Sequence, residues 1–165
     1  MIWNYKELWG LKMKIMLSLI FVISISGCSN LTTTKSADLY DSYLKQVEFE
    51  KNNTMISNRV KFFTKKYLSN IDPLDEKSLF LLNLTGYVDH EISHHQKING
   101  ENGCLSVNAV EKNNDPIVVY LEYKNNGGSW LVNNMFIHFI ESSESYTKEA
   151  LCPQEAEQII LDKMA

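Results

Sequence analysis

The chain has 165 residues, with 16 Lys+Arg against 20 Asp+Glu and a formal net charge of −4. An acidic chain with no basic cluster excludes the phosphate-neutralising surface that nucleic acid demands, and broad contact with anionic lipid. Its length predicts one domain, large enough to bury a real core.

Lys12-Met13-Lys14 precedes an apolar run from Ile15 to Ile25, broken only by Ser18 and Ser24, and Ser26-Gly27-Cys28 follow. A basic segment, then about 7–15 apolar residues, then small residues, is the order of a secretory signal; it is too short for a membrane span. The stretch Ile25-Ser26-Gly27-Cys28 resembles the bacterial lipoprotein signal, whose lipobox ends in cysteine. That resemblance implies diacylglycerol on the Cys28 thiol, cleavage just before it, and acylation of the new amine, with palmitate as a usual chain. Residues 1–27 are then a signal peptide, 28–36 a polar tether and 37–165 a single domain. The domain is expected to face the periplasm from a lipid anchor in the cell envelope. Ser29, where an aspartate tends to retain such proteins at the inner membrane, points to the outer membrane. Trp3 and Trp9 precede the basic pair, so Met13 is an alternative start. Without residues 1–27 the balance is −6.

With Cys28 acylated, Cys104 and Cys152 remain. In an oxidising compartment an even pair reads as a disulfide. Neither has a histidine or a C-x-x-C partner beside it, which argues against a catalytic thiol.

Leu39/Tyr40, Tyr43/Leu44 and Val47 recur at helical spacing between Ala37 and Glu50. After Asn52-Asn53, Thr54 is placed to cap a second helix, in which Ile56, Val60, Phe63 and Tyr67 form the buried face and Asp72-Pro73 the stop. Asp75 is placed to cap a third helix through Leu79, Phe80, Leu82 and Leu84. Gly100 and Gly103 read as a loop. The period then becomes two: Leu105, Val107 and Ala109 in a first strand, Ile117, Val119, Leu121 and Tyr123 in a second. Asn125-Asn126-Gly127-Gly128 is a hairpin signal, because Asn and Gly tolerate positive φ. A third strand runs from Trp130 to Ile140, with Trp130, Val132, Phe136 and His138 on one face and Leu131, Met135, Ile137 and Phe139 on the other. Pro153 starts a last helix, held through Ile159 and Ile160. A Cys104–Cys152 bridge would fasten that helix to the sheet's first edge.

The order gives an α+β fold: N-terminal helices packed on a curved antiparallel sheet of at least three strands, with a C-terminal helix. Arg59 to Leu68, and later Gly128-Ser129-Trp130-Leu131-Val132-Asn133-Asn134, resemble the start and end of NTF2-like (cystatin-like α+β) domains, over residues 37–141. That resemblance implies a sheet wrapped on helices around a cone-shaped pocket; it leaves the function open. Tyr120, Tyr123, Trp130 and Phe136 are the candidate pocket aromatics.

His90-Glu91-Ile92-Ser93-His94 is literally H-E-x-x-H. On a helix it would set two imidazoles on one face for zinc, with Glu91 as general base. Glu111, Glu122 and His138 compete as the third ligand and nothing singles one out. Asp89 precedes the motif, its helix would be short, and Lys97 stands where the metzincin glycine belongs. The stretch is therefore read as a polar, solvent-facing segment entering a loop. The chain is read as a non-catalytic binding or accessory domain with no metal or cofactor, anchored to the membrane through Cys28. Its partner is a protein or a small apolar ligand. A zinc-dependent hydrolase using His90, Glu91 and His94 is the alternative.

Overall fold

A computed structural model describes residues 38–53 and 55–165. The lipobox, Cys28, the tether and the Thr54 cap lie outside the described residues. Helix α1, Leu39–Asn52, begins where the Asp38 side chain accepts a hydrogen bond from the Tyr40 N–H. Its buried stripe is Leu39, Tyr43, Gln46 and Glu50, so half of it is polar.

The second helix differs from the sequence reading. Residues Ile56–Phe62 form a 3₁₀ helix, and a separate helix α2 covers Lys65–Leu68. Between them Phe63 leaves helical geometry to bridge Val132 in parallel, and the Thr64 N–H donates to the Val132 carbonyl at 2.9 Å. Thr64 then caps α2 by accepting from the Tyr67 N–H. Phe63 and Tyr67 are buried as expected; Val60 is exposed. Asp75 caps α3, Glu76–Phe80, accepting from Lys77 and Ser78 N–H groups. A further short helix, α4, spans Leu84–Tyr87.

Four strands follow: β1 His90–Asn99, β2 Asn102–Val110, β3 Pro116–Asn126 and β4 Ser129–Phe139. They form an antiparallel meander in the order β1-β2-β3-β4. Strand β1 was not expected. Gly100, not the Gly100–Gly103 stretch, makes the turn before β2, with φ +60. Gly103 lies inside β2, where α1 presses so close that a Cβ would sit 2.6 Å from Leu39 Cδ1. The expected β3–β4 hairpin turns at Gly127 and Gly128, both with positive φ.

The sheet is covered on both faces. On one, Leu105, Val107, Ala109, Ile117, Val119, Leu121 and Tyr123 meet Leu39, Tyr43 and Tyr67 from the helices and Phe63 from the link before α2. On the other, Val118 and Tyr120 meet Ala156 of the C-terminal helix α5, Pro153–Met164.

Strand β4 serves both faces because of a bulge. Tyr123 pairs with Val132 but Glu122 with Asn134, so Asn133 is extra. Its side chain is held by Thr64 Oγ1 at 3.1 Å and reaches Glu122 Oε1 at 3.3 Å. An extra residue reverses the alternation of everything beyond it. Trp130 and Val132 therefore share the helix-side core with Met135 and Ile137, while Phe136 packs on the opposite layer. The expected grouping of Trp130 and Val132 with Phe136 and His138 is corrected accordingly.

Candidate binding cleft

After β4 the chain is laid along the outer face of β2 by side chains that strand alternation points that way. Asn108 Nδ2 donates to the Thr147 carbonyl at 2.9 Å, and the Thr147 N–H returns to Asn108 Oδ1 at 3.1 Å. The Leu151 N–H donates to Ser106 Oγ at 2.9 Å, and Tyr146 Oη to the Ala109 carbonyl at 3.0 Å. Ser106 and Asn108 are buried, and these bonds satisfy them. Cys104 and Cys152 then meet as a disulfide with Cα atoms 5.0 Å apart. Glu155 clasps the start of α5: its Oε2 accepts from the Cys152 N–H at 2.7 Å and from Lys97 Nζ of β1 at 2.6 Å. Those two bonds hold the Glu155 carboxyl below its ordinary value, Lys97 contributing most.

Two expectations about this tail are corrected. Cys104 lies on β2, an inner strand, because the sheet's edge is β1. The residues of α5 that bury are Pro153 and Ala156, whereas Ile159 is 40% exposed. Its start is pinned covalently and its small Ala156 sits on the sheet, so the rest of α5 stands off.

The space left is a cleft of about 590 Å³ between α5, the end of β4 and the 142–151 segment. That lies within the roughly 300–1,000 Å³ of small-molecule sites. Tyr120, Ile140, Leu151 and Ile159 give it an apolar lining; His138, Lys163, Glu141 and Glu149 give it polar groups. Phe136 stacks between Tyr120 and His138, with ring centroids 6.0 and 6.3 Å away. Burial, then the nearby Lys163 charge, hold the His138 imidazole below its ordinary value of 6.5, so it is neutral at pH 7. Lys163 forms no ion pair among the described residues.

The four candidate aromatics do not converge. Tyr120 lines this cleft, and Phe136 packs beside it. Tyr123 is in the helix-side core, its hydroxyl without a hydrogen-bond partner among the described residues. Trp130 borders a separate hollow of about 240 Å³ near Phe62 and Leu131. Ser106, Asn108 and Lys163 were missed. The polar residues alternating with Leu105, Val107 and Ala109 were the available signal for the first two.

The H-E-x-x-H residues lie on β1, neither on a helix nor entering a loop. Residue Ile92 is bulged, since Glu91 pairs with Ala109 and Ser93 with Asn108. The bulge brings Glu91 and His94 to one face, where His94 Nδ1 meets Glu91 Oε1 at 2.8 Å. Tyr40 of α1 donates from Oη to Glu91 Oε2 at 2.9 Å and stacks on the His94 ring at 3.5 Å between centroids. Burial and the Glu91 contact push the Tyr40 hydroxyl up to about 12. His90 points elsewhere, towards Asp89 at 3.3 Å. Among the proposed third ligands, Glu122 holds Asn133, and His138 lies across the sheet in the cleft. No group of three His, Cys, Asp or Glu among the described residues is placed to hold a metal ion. The cluster is a seam joining α1 to the sheet edge.

Among the described residues no helix is long and apolar enough to cross a membrane. Compared with family models, with curated proteins and with solved structures, the chain matches none.

Proposed function

We propose that this is a membrane-tethered, non-catalytic binding domain of the bacterial cell envelope. It is held by lipid on Cys28 and takes a small, largely apolar ligand in the α5 cleft. The observation that carries the reading is the cleft itself: about 590 Å³, apolar for most of its lining, with a few polar groups at its wall. The lipoprotein-like Ile25-Ser26-Gly27-Cys28 supports the tether. Separation of His90 from His94 on the two sides of β1 removes the support for the hydrolase.

The neutral dye N-phenyl-1-naphthylamine, which brightens on leaving water, tests the site. It is expected to bind the purified domain at one equivalent. Ile159→Glu, which sets a charge in the apolar wall, should weaken binding by about tenfold or more. Leu131→Glu, on the separate hollow, should leave it unchanged. No brightening, or equal loss in both variants, would overturn the assignment.

A further inference from the structure

We infer that the cleft's ligand is a single-chain amphiphile with an anionic head, its tail along Tyr120, Ile140, Leu151 and Ile159 and its head at Lys163 beside His138. This rests on the cleft being the ligand site.

The lining asks for such a molecule in two parts. The apolar wall favours a chain, because every methylene buried there is removed from water. The polar wall carries both signs, with Glu141 and Glu149 lining the cleft as well as Lys163 and His138. Lys163 settles the sign at the His138 end. Its ammonium forms no ion pair with Glu141, Glu149 or any other carboxylate among the described residues, which leaves its hydrogen-bond donors open to a ligand. Burial and then the Lys163 charge lower the His138 value, so the ammonium and the imidazole face the same end of the cleft. A neutral imidazole there has an N–H to donate and no charge to desolvate. A carboxylate or phosphate head entering at Lys163 gains a charge-assisted hydrogen bond that the cleft now lacks. A cationic head would meet Lys163 as a like charge.

Displacement of N-phenyl-1-naphthylamine by dodecanoate, dodecanol and dodecylammonium, each below its micelle concentration, reads the head preference. Dodecanoate is expected to displace the dye at about tenfold lower concentration than dodecanol, with dodecylammonium weakest. Lys163→Ala should erase the difference between acid and alcohol, and Lys163→Arg should keep it. Lysophosphatidic acid, tested beside dodecanoate, separates a lipid phosphate from a free fatty acid as the better head. Equal displacement by acid and alcohol, preference for the ammonium, or an acid preference that survives Lys163→Ala would overturn the inference while leaving the cleft assignment standing. Failure of the dye to bind at all would overturn both.

Discussion

Two residues of α1 show how tightly single positions are set. Leu39 is fully buried against Gly103, so Gly103→Ala would drive a Cβ into a side chain with nowhere to go. Overpacking of this kind costs about 1–3 kcal/mol. Urea unfolding of Gly103→Ala should show it, and Leu39→Val should recover part. Glu50 gives a pH signature. It is buried, accepts from Gln46 Nε2 and the Thr85 N–H at 2.9 Å each, and has Arg59 nearby. Burial outweighs these contacts and holds its carboxyl above the ordinary 4.5. The folded state then binds that proton more tightly than the unfolded chain does. Its contribution is most favourable at low pH and declines as pH rises from 4.5 through the raised value. His138 runs the other way: held below 6.5, it subtracts stability as pH falls through that value. Glu50→Gln is expected to flatten the first slope and leave the second, and His138→Gln the converse, in urea midpoints measured across that range. Gln46 and Glu50 could not be read as buried from the sequence, because polar residues on a helix ordinarily face water.

Elements were legible where period and punctuation agreed. Leu105-Val107-Ala109 and Ile117-Val119-Leu121-Tyr123 alternate without interruption, and both strands formed as read. Asp75 capped its helix. Strand β1 was illegible because its inward residues are Glu91, His94 and Gln96, which meet Tyr40 through hydrogen bonds and stacking instead of apolar contact. Tyr40→Phe should cost about 1 kcal/mol in chemical unfolding by leaving Glu91 without that donor. For the tail, the disulfide joins residues 48 apart, and chain entropy gives it about 4 kcal/mol. Reduction, or Cys152→Ser, is expected to raise amide exchange in residues 153–164 first. Residues 146–151 should change less, being tied to Ser106, Asn108 and Ala109, and the four strands least. Unchanged protection in α5 would rule this out. Once the bridge is gone, Lys97 and Glu155 become its main clasp. The Glu155 contribution is present above the ordinary carboxylate value and is lost as pH falls through the lowered one. The reduced protein should therefore loosen α5 further in acid.

At the scale of the molecule, the α+β arrangement followed from helices preceding an antiparallel meander. The second layer on the outer face did not, because its anchors are Ser106 and Asn108, residues that alternation assigns to solvent. The proposed membrane tether is carried by the lipobox-like Ile25-Ser26-Gly27-Cys28. Labelled palmitate is expected to enter the wild-type protein and not Cys28→Ala; incorporation that survives the substitution would remove the anchor. Zinc analysis of the purified protein is expected to find less than a stoichiometric amount, and none that depends on His90.

The extra residue Asn133 has one further consequence. Strand β4 is read in one frame before it and in the other after it, so the two interiors are kept in phase by a single insertion. Deleting Asn133 would leave composition, hydrophobicity and strand propensity almost untouched. Yet either Trp130 and Val132 would turn away from the helices, or Phe136 and His138 would turn into them and take the cleft floor with them. In the lineage of this chain, gaps should be poorly tolerated at a polar, half-buried asparagine that lies in neither apolar cluster.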